Sequence, residues 1–117
     1  MPAAVIFIAW NRAHVGLEDK AYAYLMGEGM TYLQGLKGTH VTGVEMVGLT
    51  AHRSDLNGFI LLYGERPQLD ELRRTDAFEA FVMTLGKYFD RLGVVPGVTW
   101  EGIKSVMERR KQRELVG

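Results

Sequence analysis

Two strand-like runs, Ala3–Trp10 and Gly58–Tyr63, are apolar on both of their faces, and only two long amphipathic segments accompany them in the chain. Side chains alternate across a strand with period two. Val5, Phe7 and Ala9 therefore point to one side while Ile6, Ile8 and Trp10 point to the other. Helices packed on a sheet cover one of those sides. The second side demands another sheet, from outside the chain.

A chain of 117 residues with 47% hydrophobic and 10% aromatic residues is sized for one domain with a core of ordinary extent. Fourteen basic and fourteen acidic residues leave no formal net charge, so no long-range field draws the whole molecule to nucleic acid or to an anionic membrane. The lack of cysteine removes disulfides, thiolate catalysis and thiolate-bound metals, and fits a reducing compartment. The first apolar run has no basic lead, is too short to span a bilayer and stops at Asn11-Arg12, so a cytoplasmic protein is the expectation.

Between and beyond those runs the pattern is legible. Glu18 and Asp19 favour a helix start through the macrodipole, and Ala21, Tyr24, Leu25, Tyr32 and Leu36 carry a 3.6-residue period from about Leu17 to about Leu36. Tyr22, Met26 and Leu33 give that helix a second apolar side. Gly27 and Gly29 within it predict a kink or a close backbone approach. Val41–Thr50 reads as a less apolar edge strand, and the turn-rich Ala51–Asn57 returns the chain into Gly58–Tyr63 as a hairpin. Pro67 opens a short helix with Leu69 and Leu72. Asp76 and Glu79 have capping-box spacing ahead of the clearest stripe in the chain, Phe78, Phe81, Val82, Leu85, Phe89 and Leu92. Val94, Val95 and Val98 around Pro96-Gly97 form a last edge strand. Trp100–Leu115 is a charged helix whose Trp100, Ile103 and Met107 share one face; that face is expected to dock on its own subunit or on a partner copy.

The order is β-α-β-β-α-β with an added helix, an α+β, ferredoxin-like arrangement with an antiparallel sheet: residues 1–98 form the domain and 99–117 a charged helical tail. Its central strands are the first and third, the two that are apolar on both faces. Both helices pack on one side, so a homodimer related by a two-fold axis is the expected source of the facing sheet.

On the segments VIFIAWNRAHVGLEDKAYAYL, DLNGFILLYGE and LDELRRTDAFEAFVMTL, which span most of residues 3 to 98, the chain resembles the dimeric α/β barrel superfamily. That superfamily includes antibiotic-biosynthesis-type monooxygenases, lactone isomerases and proteins with no assigned activity. Some of its monooxygenases work without metal or flavin, using an asparagine, a tryptophan and a histidine around an aromatic or haem substrate. Trp10, Asn11 and His14 supply those residue types here, grouped in one stretch.

The topology sends the loop after the first strand and the hairpin after the second to one end of the sheet. His14 and His52 thereby become candidate proton carriers, with Trp10, Asn11, Arg12, Arg53 and Asp55 as candidate ligand-binding groups. The other reading of these positions is a solvated loop. His40 falls at the opposite end. His14, His52 and Asp55 lack the tight spacings of a metal site, Ser54 lacks the G-x-S-x-G turn of a hydrolase, and Gly27-x-Gly29 lies inside a helix rather than in a phosphate loop. No metal or cofactor is expected. Tyr22, Tyr24, Tyr32 and the six methionines read as packing residues. The basic tail residues Lys104, Arg109, Arg110, Lys111 and Arg113 read as a solvated helix side rather than a nucleic-acid contact, because the rest of the chain has no basic surplus. The expected function is small-molecule binding by a homodimer; the alternative is a cofactor-independent monooxygenase or isomerase acting on a small aromatic or polyketide-like compound.

Overall fold

The computed structural model describes residues 3–49 and 56–116. His52, Arg53, Ser54 and Asp55 lie outside the described residues. Strands β1 (Ala4–Trp10), β2 (Gly43–Gly48), β3 (Gly58–Gly64) and β4 (Gly93–Val98) form one sheet in the order β2-β3-β1-β4. Every neighbouring pair is antiparallel. The two runs that are apolar on both faces are the two central strands.

The first long helical stretch comprises α1 (Glu18–Tyr24), a wide π turn (Leu25–Gly29) and α2 (Met30–Gly35). The expected irregularity at Gly27 and Gly29 is thus an extra residue in one turn. Gly29 also sits where the next layer comes close: a Cβ there would lie 3.1 Å from the Tyr24 carbonyl oxygen and 3.4 Å from the Phe81 ring. Phe81 in turn meets Tyr32 at 5.1 Å between ring centroids. β2 is shorter than the sequence suggests, because pairing at its ends thins to single bonds, Thr42 N to Tyr63 O at 2.7 Å and Leu49 N to Asn57 O at 2.9 Å.

Helices α3 (Arg66–Arg73) and α4 (Asp76–Tyr88) follow β3. The capping-box expectation at Asp76 and Glu79 is displaced by one residue. Thr75 is the N-cap, and its Oγ1 accepts from the Phe78 amide at 3.2 Å while donating to the Leu72 carbonyl at 2.8 Å. One hydroxyl thereby serves the end of α3 and the start of α4 together. Thr75→Ala is expected to cost about 1 kcal/mol of stability, read as a lower urea midpoint at unchanged m-value. The apolar stripe also outruns its helix: α4 stops at Tyr88, and Phe89 is extended (φ −119°, ψ 138°) yet buried. It is held by pairing with Ala13, with His14 N donating to Tyr88 O and Asp90 N to Arg12 O on either side.

Alternation along β1 and β3 is complete. Ala4, Ile6, Ile8, Trp10, Ile60 and Leu62 are buried on the helix side, against Leu25, Leu33, Leu69, Leu72 and Leu85. The strand register places Val5, Phe7, Ala9, Phe59, Leu61, Tyr63, Val47 and Val95 on the helix-free face. Phe7 and Phe59 touch there at 5.3 Å between centroids. Glu45 is the single charged strand residue on that face, and the Tyr63 phenol beside it is pushed above its usual range by desolvation first and by the Glu45 charge second.

Helix α5 (Trp100–Val116) starts at a Thr99 cap, with Gly102 pressed on the first residues of the chain: a Cβ at Gly102 would overlap the Ala3 carbonyl. Beyond that point only one side, with Val106 and Arg109, still faces the body across a shallow groove. Every residue from Ile103 to Leu115 is exposed, and the molecule measures 59 × 34 × 20 Å. The expectation that Trp100, Ile103 and Met107 dock on their own subunit is not met: their exposures are 69%, 42% and 55%.

Candidate functional site: a methionine-lined cleft over Trp10

At the end of the sheet where β1 and β2 finish, a cleft of about 400 Å³ opens between the first helical stretch and the β2 edge. The π turn and its flanks supply Tyr22, Leu25, Met26 and Met30. Met46 comes from β2 and the ring of Trp10 from the last position of β1. Three thioethers with many rotamers and polarisable sulfur form walls that can adapt to an apolar guest.

Trp10 is fixed from several sides. Its indole lies across Gly58, its direct partner in β3, so closely that a Cβ at Gly58 would come within 2.6 Å of Cζ2 and 2.8 Å of Cε2. Phe89 packs on it at 5.0 Å between centroids, and Tyr22 meets Phe89 edge-on at 5.4 Å and 83°. The indole Nε1 is buried and meets no acceptor among the described residues. An unmade bond of that kind costs on the order of 1–3 kcal/mol, so packing rather than hydrogen bonding holds the ring.

The other sequence candidates are placed as follows. Asn11 does not line the cleft: its Oδ1 accepts from Asn57 Nδ2 at 2.9 Å, and the Asn57 backbone amide donates to the Trp10 carbonyl. This ties the loop after β1 to the start of β3. Arg12 is exposed. His14 turns toward α4, with Nε2 3.4 Å from the Gly86 carbonyl oxygen, and does not line the cleft. His52, Arg53 and Asp55 lie outside the described residues; Gly48, at the end of β2, does line the cleft. The described lining residues carry no Asp, Glu, Lys, Arg or His, so the walls are largely apolar and bear no formal charge.

A second cavity, of about 460 Å³, lies at the far end of the sheet beside His40 and Glu65. His40 Nε2 sits 3.7 Å from the Glu71 carboxylate, while its Nδ1 is buried without a hydrogen-bond partner among the described residues. One imidazole nitrogen is thus taken up by Glu71 and the other is covered, which leaves that cavity without a converging set of groups. No group of three or more histidines, aspartates or glutamates converges among the described residues, and no helix there is long and apolar enough to cross a membrane.

The methionines were readable as packing residues; their cleft was not. Met26, Met30 and Met46 stand on elements far apart in the chain and meet only once the sheet order is known. A methionine at the outer side of a helix kink was the available signal.

No family model matches the sequence, and no curated protein is significantly similar to it. Solved structures do match. An ethyl tert-butyl ether D (EthD) family protein from Bacillus halodurans C-125 superposes with a TM-score of 0.58 at 14% identity, over 81% of this chain and 96% of the other. A dimeric protein of unknown function and ferredoxin-like fold from Bacteroides fragilis gives 0.57 at 10% identity, over 82% and 96%. A hypothetical protein of Arabidopsis thaliana gives 0.61 at 14% identity, over 84% and 88%. The chain has a ferredoxin-like α+β fold. In this fold the cleft belongs to the helix-covered side of the sheet, and the apolar helix-free face lies opposite.

Proposed function

We propose that this protein is a homodimer that binds a small apolar molecule in the cleft over Trp10, one in each subunit. The observation that carries the binding half is the cleft itself, an opening of about 400 Å³ walled by methionines and an indole with no charged group among its described lining. That volume falls in the range of small-molecule pockets, roughly 300–1,000 Å³. The assembly half is supported by the apolar helix-free face and by the Bacteroides fragilis neighbour, which is described as dimeric.

Nile red, a neutral apolar fluorophore, tests the binding half. Wild-type protein is expected to enhance its emission at one dye per chain. Met26→Glu and Met46→Glu, which place a carboxylate in the wall, are expected to weaken binding at least about tenfold, equivalent to about 1.4 kcal/mol. Met83→Glu on α4, exposed and outside the cleft, serves as the control and is expected to bind as wild type does. Equal binding by Met26→Glu, Met46→Glu and wild type would remove the cleft as the site.

The enzymatic alternative draws on one observation: Gly48, the last residue of β2, lines the cleft, and His52 follows it four residues later in the sequence. A monooxygenase or isomerase needs a group that moves a proton, and in that reading His52 or His14 does so, with Arg12, Arg53 and Asp55 orienting the substrate. His52→Ala would then abolish turnover of an aromatic substrate while leaving Nile red affinity unchanged.

A further inference from the structure

Helix α5 presents two sides with different fates. Gly102, Val106 and Arg109 border a groove of about 320 Å³ against Ala3, Arg66 and Pro67, so this side faces the body. Trp100, Ile103 and Met107, at i, i+3 and i+7, lie on an adjacent side and are open to solvent. An indole exposed at 69% beside an isoleucine and a methionine is an apolar stripe without cover in its own chain.

We propose that this stripe docks on a second copy of the chain, as an arm that completes the interface begun by the helix-free sheet face. The proposal rests on the homodimer proposed above. Interface area argues for it first. Four strands spaced by about 4.8 Å, each about seven residues at about 3.3 Å, present roughly 400 Å² on the open face. A stable two-fold interface takes about 800 Å² from each partner, twice that amount. The planar footprint of the sheet is about half that figure, and a tryptophan adds roughly 150–250 Å² of accessible area by itself.

Charge argues for it second. Positions 99–117 carry five basic and three acidic residues, and the remaining chain carries nine basic and eleven acidic. The arm is therefore net positive by two and the body net negative by two, which favours an arm lying on the body of another copy. Arg110, Lys111 and Arg113 have no ion-pair partner among the described residues, and neither has Glu45 on the open sheet face. Shape is consistent with both, since an arm of seventeen residues, about 25 Å long at 1.5 Å per residue, projects from a body whose other dimensions are 34 and 20 Å.

The two tryptophans of the chain allow a direct test, because Trp10 is buried and iodide reaches only Trp100. Wild-type protein at concentrations where sedimentation gives the dimer mass is expected to show severalfold weaker iodide quenching than the monomeric sheet-face variant Phe59→Asp. The double variant Ile103→Glu with Met107→Glu is expected to dimerise at least tenfold more weakly than wild type. A wild-type dimer with Trp100 quenched as readily as in Phe59→Asp, or a double variant with unchanged dimer affinity, overturns the arm while leaving the dimer standing. A wild-type chain that stays monomeric at every concentration overturns both. Protection of Trp100 that appears only on adding phosphatidylserine vesicles assigns the stripe to a membrane surface and also overturns the arm.

Discussion

Phe59→Asp is expected to leave the chain folded and monomeric. Phe59 lies on the helix-free face of a central strand, in register with Ala9 on one side and Val47 on the other, and touches Phe7 at 5.3 Å between centroids. It is half-buried in the isolated chain, so a carboxylate there stays hydrated in the monomer and the folding cost is confined to lost contact with Phe7 and its neighbours. In a dimer the same position is desolvated. Two-fold symmetry places both carboxylates in one apolar interface, and an unpaired buried charge costs several kcal/mol. Such a penalty, entered twice, exceeds what separates a micromolar dimer from none. Sedimentation equilibrium should give the dimer mass for wild type and the monomer mass for Phe59→Asp, with the thermal transition of the variant still cooperative. Val95→Asp, on the edge strand and 53% exposed already, should weaken the dimer much less. A Phe59→Asp protein that still sediments as a dimer would place the interface elsewhere and remove the facing-sheet requirement.

That requirement was legible before any coordinates because period-two alternation reports both faces of a strand independently. Ile6, Ile8, Ile60 and Leu62 find the helices, and Val5, Phe7, Phe59 and Leu61 are left over. The helical stripe of α4 was legible for the same reason, although periodicity carried it past the true helix end: Phe89 keeps the stripe's spacing and its burial while leaving helical geometry. The cap at Thr75 was missed because Asp76 and Glu79 satisfy the same spacing one residue on, and only the Leu72 carbonyl, presented by the end of α3, selects the threonine. The π turn was half legible. Glycines at 27 and 29 signal irregularity, but whether a helix kinks or gains a residue depends on Phe81 pressing against Gly29 from α4. Patterning states that the Trp100 stripe wants cover and is silent on what covers it.

The cleft depends on a close approach that glycine alone permits, and two paired glycines should respond in opposite senses to the same substitution. Gly48 and Gly58 face each other across β2 and β3. At Gly48 a Cβ would meet nothing within 4 Å, so Gly48→Ala is expected to be neutral or to stabilise by about 0.4–1 kcal/mol through the unfolded chain. At Gly58 the same methyl group would sit 2.6 Å from Trp10 Cζ2 and 3.0 Å from Nε1. The indole can retreat only toward the cleft it lines, since Phe89 packs on it at 5.0 Å. Gly58→Ala should therefore cost about 1–3 kcal/mol by overpacking, and the displaced ring should enter the cleft and lower Nile red affinity. The smaller ring of Trp10→Phe relieves that clash, so the double variant should be more stable than the sum of the single effects by about 0.5–3 kcal/mol, a coupling measured by urea denaturation of the four proteins in the cycle. Additive single effects would mean that Gly58 is retained for a reason other than the indole. They would also separate the floor of the cleft from the sheet position that now supports it.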